Sequence, residues 1–149
     1  MMNDSKQTLV QAIREWLRTY PPLAEGRLGV DYLPEDAQTY SIDSVPGPET
    51  VKRYLDGSAV KQFDFILASR VFWGDQITGN TENLAFYEAF SNWVEAQNRR
   101  PKHLPALDGG RMAQKVEVTT LGYPYQVSED GRARYQIQLK LTYFAKGSR

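Results

Sequence analysis

The sequence predicts an α+β fold in which a largely antiparallel sheet of about six strands carries two helices on one face. Two stretches repeat apolar residues every three to four positions, which is typical of helices. Several others alternate apolar and polar residues, which is typical of half-buried strands. Their order along the chain is helix, about four strands, helix and two strands.

The first helix is predicted from Asp4 to Tyr20, with its apolar residues at helical spacing and its charged residues on the other side. Asp4 and Gln7 have the spacing of a capping box. Pro21 and Pro22 end the helix, because proline has no N–H and restricts the residue before it. A loop is predicted to follow.

Four strands are predicted next, and two of them are joined by a tight turn. The Pro46-Gly47-Pro48 segment cannot lie inside a central strand, so it marks a turn or an edge bulge. Asp56-Gly57 suits a hairpin turn that needs a positive φ. The predicted strands are Leu28 to Leu33, Thr39 to Val45, Thr50 to Leu55 and Ala59 to Phe72.

The rest of the chain predicts a second helix and two strands. The helix begins at Asn80 or Thr81 and continues to about Asn98, with a bulky apolar stripe that needs a sheet to lie on. A loop rich in proline and glycine follows. The remaining predictions are a loop from Arg99 to Gly110, strands Gln114 to Thr120 and Tyr135 to Tyr143, a turn at Glu129 to Arg132, and a frayed tail from Lys146 to Arg149.

Length and composition predict one domain spanning residues 1–149. A chain of 149 residues with 41% apolar content supports one proper core, whereas two full domains are not expected. The sequence has no cysteine, which excludes disulfides and thiolate zinc sites. No apolar run is long enough for a membrane span, and the polar first residues do not resemble a signal peptide, so we expect synthesis in the cytosol.

Charge is balanced overall but unevenly distributed. Residues 1–98 contain eight Lys/Arg and fourteen Asp/Glu, whereas residues 99–149 contain ten and four. The two halves therefore differ in sign, which would suit head-to-tail contacts between identical subunits. The alternative is that opposite charges interleave on the folded surface.

The sequence offers little catalytic chemistry. His103 is the only histidine and lies in a proline-flanked loop with no partner at metal-ligand spacing, so a solvated loop residue is the favoured interpretation. Asp108-Gly-Gly-Arg111 lacks the frame of a phosphate loop and is interpreted as a plain turn. We therefore predict no enzyme activity, no catalytic or metal residue and no cofactor.

Five residues are predicted to contact a subunit or a partner. Arg70, Trp73 and Asp75 end a strand with residue types that are enriched at interface hot spots. Arg53 and Tyr54 precede the hairpin turn and form a weaker candidate. The alternative is core packing with a surface arginine. A single-stranded nucleic-acid platform is disfavoured, because this stretch is not basic.

Several segments resemble a family of small proteins encoded in the structural modules of tailed phages and prophages. The likeness extends from about Leu28 to Phe144. Members are often labelled minor capsid protein and sometimes, misleadingly, chloramphenicol resistance protein. The segments that carry the likeness most clearly are Lys52-Arg-Tyr-Leu-Asp-Gly-Ser58, Gln62-Phe-Asp-Phe65, Phe86-Tyr-Glu-Ala-Phe-Ser-Asn-Trp93 and Ala133-Arg-Tyr-Gln-Ile-Gln138.

This family resembles the tail terminators of long-tailed phages, which implies a structural virion protein. The resemblance implies a homo-hexameric ring that caps the tail tube protein and presents a face to the head–tail connector protein. It also implies location in the host cytoplasm during assembly and then in the virion tail. The alternatives are a head-completion or connector component of the capsid and, from another class, a small-molecule-binding domain or an enzyme.

DNA enters this hypothesis only as a molecule that passes through the lumen of the ring. The segment from Glu25 to Glu49 holds six acidic residues against Arg27 alone. Lining a channel with this segment would let phosphates slide without adhering.

Overall fold

The computed structural model describes residues 8–21, 27–30, 39–72, 76–127 and 132–147. The predicted α+β fold is confirmed. In chain order the elements are α1 (Leu9–Leu17), β1 (Arg27–Val30), β2 (Thr39–Val45), β3 (Thr50–Arg53), β4 (Ala59–Phe72), α2 (Gln76–Gln97), a 3-10 turn (Pro101–His103), β5 (Arg111–Val127) and β6 (Arg132–Ala145).

The strands form one sheet in the order β1-β2-β4-β6-β5, and β3 pairs with the first residues of β4. Strands β4 and β6 pair without interruption, from Ala59 opposite Ala145 to Phe72 opposite Arg132. The β1–β2 pair is parallel, whereas the other pairs are antiparallel. The largely antiparallel sheet was thus predicted correctly.

The core lies between one face of the sheet and the two helices. Register places apolar residues of successive strands side by side, for example Ile42 beside Leu67 and Leu67 beside Ile137. Each is fully buried, and burying such a side chain stabilises the fold by about 1.5 to 3 kcal/mol. We call this the helix-bearing face. The opposite side is called the open face, because neither helix packs on it, although Ser41, Ala68 and Gln136 on that side are also buried.

Aromatic side chains join the two helices above the sheet. The α1 end contributes Trp16 and Tyr20, and α2 contributes Phe86, Phe90 and Trp93. The Trp16 and Trp93 ring centroids are 4.9 Å apart, and those of Tyr20 and Phe90 are 5.5 Å apart. Both helices therefore share one core on one face, as predicted.

The helix boundaries correct two predictions. Helix α1 begins at Leu9, and its capping box is formed by Thr8 and Gln11. The box predicted at Asp4 and Gln7 lies outside the described residues. Helix α2 begins at Gln76, four or five residues before the predicted start, because the polar residues taken as its cap continue the helix instead.

Strand β5 is much longer than predicted. It extends over Arg111–Val127 and has register shifts at several points, including between Val118 and Thr120. Bulges place two residues opposite one, so they interrupt the alternation on which the prediction depended. Strand β5 also includes Pro124, which the sheet tolerates because β5 is the last strand in the order.

The chain end is also more ordered than predicted. The Lys146 N–H donates to the Gly110 carbonyl at 2.9 Å. A Cβ built on Gly147 would lie 2.6 Å from the Asp56 carbonyl oxygen, so Gly147 lies directly against the β3–β4 turn. The prediction of a frayed tail is therefore wrong for Lys146 and Gly147. Residues 148 and 149 lie outside the described part.

Candidate interaction surface

Arg53 and Tyr54 lie at the hairpin end of the sheet. Arg53 is the last residue of β3, and Tyr54 starts the turn by donating its N–H to the Ser58 carbonyl at 2.8 Å. Both side chains are exposed. The Lys52 ammonium lies 5.3 Å from the centroid of the Tyr54 ring, close enough for a cation–π contact.

The structure does not bring the five predicted residues together. Arg70 pairs with Thr39 and Arg134 inside the sheet, near the end of β4. Arg53 pairs with Ala59, and Ala59 lies eleven positions before Arg70 on β4. Eleven residues of a strand span roughly 36 Å. Arg53 and Arg70 therefore belong to opposite ends of the sheet. Trp73 and Asp75 lie outside the described residues.

The predicted tight turn at Asp56-Gly57 is confirmed and has a local electrostatic cause. Gly57 has φ 90°, which favours glycine. The Asp56 carboxylate accepts the Ser58 N–H at 2.9 Å and also the Ser58 hydroxyl. These hydrogen bonds, the hydroxyl bond foremost, lower the pKa of Asp56 below its ordinary value.

Large apolar side chains are exposed at this same end. Leu55, at the tip of the turn, is fully exposed, while Val51 is 56%, Tyr54 40% and Met112 66% exposed. We call these four residues the hairpin-end surface. Burial of an exposed apolar patch against another molecule is favourable, so such patches mark interaction sites.

Register shows why Met112 belongs with the hairpin. Met112 pairs with Phe144, Phe144 with Val60, and Val60 with Lys52, which forms one row across four strands. The row lies on the open face, because the neighbouring residue Tyr143 points into the core. Of this surface, the sequence predicted only Tyr54 as a contact residue. Val51, Leu55 and Met112 were missed, because apolar residues in strands were taken as core. An apolar Leu55 within a turn was the available signal.

Strand β5 forms one edge of the sheet, and one position on it is already occupied. The Asn98 amide donates to the Val116 carbonyl at 2.6 Å, and its side-chain oxygen accepts the Val116 N–H at 2.9 Å. Both backbone groups of Val116 therefore point away from β6. Asn98 replaces a neighbouring strand at this single point, and no element follows β5 in the described sheet order.

Charge is distributed unevenly across the sheet. Strands β5 and β6 together contain five basic residues and one acidic residue, Glu117. Opposite charges also interleave, since Lys140 lies between Glu117 and Asp64 in the register. The surplus of positive charge nevertheless lies on β5 and β6, at the β5 edge of the sheet. Of the six acidic residues predicted to face a lumen, the structure describes only Asp43 and Glu49, on the β2–β3 side.

A groove of about 530 Å³ separates α1 from the end of α2 and the 3-10 turn. Several of its polar groups already bond within the chain. The Trp16 indole N–H donates to the His103 carbonyl at 2.7 Å, and the Gln97 amide donates to the Trp93 carbonyl at 3.1 Å. These groups are thus not directed at a ligand. The His103 side chain is exposed, which agrees with its interpretation as a loop residue.

Metal sites and membrane-spanning helices are both absent from the residues that the structure describes. Among them, no three His, Asp or Glu side chains lie close enough together to hold a metal ion. No helix in the described ranges combines the length and apolar character needed to cross a membrane.

Comparison with known proteins adds no family. No protein-family model matches this chain, and a search of the curated proteins finds no match either.

Proposed function

We propose that this protein is a structural subunit of a phage or prophage tail, which associates with copies of itself and caps the tail tube as a terminator ring. Its mechanism is assembly. The ring occupies the interface that the next tube subunit would use and then offers a different surface to the head–tail connector. The sequence resemblance supplies the phage context of this proposal.

The observation that carries self-association is the presence of two different edges on one sheet. Strand β5 is one edge, and β3, whose residues are all exposed, forms part of the opposite one. Unpaired strand edges are templates for pairing with another chain. Contact between two different surfaces of identical subunits is heterologous, and such contacts generate rings when the rotation closes.

Two features bear on this assignment of surfaces. The hairpin-end surface places exposed Val51 and Leu55 on and beside β3, where they would be buried by a neighbouring subunit. The positive surplus of β5 and β6 lies at the other edge. Asp43 and Glu49 on the β2–β3 side would attract that surplus, whereas Lys52 and Arg53 of β3 would repel it.

Sedimentation velocity of the purified chain over a range of concentrations tests self-association. We expect a discrete oligomer whose population rises with protein concentration, because association buries the apolar hairpin-end surface. Leu55→Asp should shift the protein towards monomer, since it places a carboxylate in the buried interface. Ala89→Asp is the matched control, because Ala89 is exposed on α2, away from both edges.

A tube-assembly assay tests the tail role. Adding the wild-type protein to polymerising tail tube protein should stop elongation. Tubes formed with Leu55→Asp should be longer than tubes formed with the wild type. A strict monomer at all concentrations that has no effect on tube length would overturn the proposal. An oligomer that binds the connector but does not affect tubes would favour the head-completion alternative.

A further inference from the structure

A cleft of about 460 Å³ opens on the helix-bearing face at the hairpin end of the sheet. Its walls come from the start of α1, from the β3–β4 hairpin and from the neighbouring ends of β5 and β6. Its charged and polar lining residues are Glu49, Arg53, Lys61, Arg111, Tyr143 and Lys146.

Two of the four basic residues in this cleft already have acidic partners. The Lys61 ammonium lies 3.1 Å from the Glu49 carboxylate. The Arg111 guanidinium lies 3.0 Å from the Asp108 carboxylate and also donates to the Asp108 carbonyl. Their positive charges are therefore largely compensated within the chain.

The other two basic residues are not compensated. Neither the Arg53 nor the Lys146 side chain forms an ion pair or hydrogen bond with any residue that the structure describes. Arg53 lines the cleft from β3 and Lys146 from the residue after β6, and these two strands flank β4 on its two sides. Counting only the part of the chain that the structure describes, the cleft thus carries two uncompensated positive charges, those of Arg53 and Lys146.

Tyr143 supplies the second, independent observation. Its side chain lines the cleft and is only 3% exposed, yet its hydroxyl has no hydrogen bond to any described residue. Because the cleft is open, the hydroxyl is accessible to a ligand or to water. Burial raises the pKa of Tyr143, and the negative charge of Glu49 raises it further, so the hydroxyl keeps its proton at neutral pH. Within the described ranges the hydroxyl therefore has no acceptor.

We propose that this cleft binds a phosphate group, with the Tyr143 hydroxyl as a donor at its floor and the charges of Arg53 and Lys146 at its walls.

The chemistry of the lining favours a phosphate group over a carboxylate. A phosphate monoester carries about −1.5 to −2 charges at pH 7, which matches the two uncompensated cations. The phosphate oxygens point in several directions, and the donors Arg53, Tyr143 and Lys146 come from different elements of the chain. The Arg53 guanidinium also has the planar fork that pairs with two phosphate oxygens. A carboxylate has only one charge and two oxygens in one plane.

Calorimetric titration of the full chain tests this proposal at constant ionic strength. Inorganic phosphate, a nucleoside monophosphate and acetate are titrated in parallel. We expect saturable binding of the two phosphates. Equal affinities would mean that the phosphate group alone is recognised, and tighter nucleotide binding would mean that the group is carried on a larger molecule. Acetate binding as tight as phosphate binding would overturn the proposal.

Variants at the walls and floor locate the site. Lys146→Ala should weaken phosphate binding by about tenfold, as expected for loss of one charge-assisted contact. Lys115→Ala is the control, because Lys115 is an exposed β5 cation outside the cleft. Tyr143→Phe should weaken binding to a similar extent while leaving the melting temperature of the free protein unchanged or raised. Equal losses in Lys115→Ala and Lys146→Ala would mean unspecific attraction and would contradict the site.

Substitution of Glu49 should change the phosphate affinity in the opposite direction. Its carboxylate repels an incoming phosphate and occupies Lys61, so Glu49→Gln should tighten phosphate binding several-fold. Glu117→Gln removes a charge outside the cleft and should leave the affinity unchanged. An unchanged or weakened affinity in Glu49→Gln would overturn the proposed position of the phosphate. Binding requires a single copy of the chain, but Arg53 lies on β3, which is also proposed to contact a neighbouring subunit. Repeating the titration with Leu55→Asp, which is expected to be monomeric, separates the two results.

Discussion

The Asn98 side chain bonds both backbone groups of Val116, as a neighbouring strand would. Asn98 lies just beyond the end of α2, and Val116 lies on the edge strand β5. Because an amide side chain has the same donor and acceptor as a peptide group, it satisfies the edge without adding a strand. The relationship fixes the end of the helix to the sheet and blocks one position of an otherwise available edge.

Replacing Asn98 should loosen this connection. Asn98→Ala leaves both Val116 backbone groups without their partner, so we expect a loss of about 1 to 3 kcal/mol in the free energy of unfolding. Urea denaturation measures the loss, and hydrogen exchange of the Val116 amide should accelerate. Gln97→Ala is the matched control, because Gln97 bonds only within its own helix. Equal losses in the two variants would contradict a special role for Asn98.

Gly147 should tolerate no side chain. A Cβ there would lie 2.6 to 2.8 Å from backbone atoms of Asp56, Gly57 and Ser58, so the turn or the chain end must shift. We expect Gly147→Ala to lower the free energy of unfolding by about 1 to 3 kcal/mol. In Gly47→Ala the new Cβ meets only the Asp64 carboxylate, at 3.3 Å, and this variant should be milder. The melting temperatures of the two variants test this prediction, and an equal or larger decrease in Gly47→Ala would contradict it.

The β3–β4 turn should weaken in acid. The pKa of Asp56 is lowered in the folded chain, so its contribution is present above the ordinary value of 3.8 and is lost as the pH falls through the folded pKa. An NMR titration of the Asp56 carboxyl carbon and the Ser58 amide should show a midpoint below 3.8. In Ser58→Ala the midpoint should rise towards the ordinary value. A midpoint at or above that value in the wild type would contradict the assignment.

The capping box should stabilise α1. Thr8→Ala removes the hydroxyl that accepts the Gln11 N–H at 3.1 Å, so we expect a loss of about 0.5 to 2 kcal/mol. Thr119→Ala is the control, since its exposed hydroxyl donates only to the Gln138 carbonyl. Thermal unfolding followed by far-ultraviolet circular dichroism compares them. A smaller loss at Thr8 than at Thr119 would contradict the cap.

The sequence predicted a helix, strand or turn correctly where a few adjacent residues carried the whole pattern. The alternation of β6 and the Asp56-Gly57 turn were both read correctly, because side-chain period and positive φ are properties of a few adjacent residues. The prediction failed at β5, where bulges break the period, and at the start of α2. Of the candidate site, Arg53 and Tyr54 were correctly placed beside the turn, but their separation from Arg70 was not foreseen.

The sequence by itself determined the class of fold, the apolar alternation and the main turns, since these follow from residue spacing and backbone preference. Only the tertiary structure decided which strands became edges, that Asn98 covers Val116, and that Arg53, Tyr143 and Lys146 border one cleft. The reason is physical. These relationships join residues far apart in the chain, and strand register with helix packing brings them together, which no local spacing encodes.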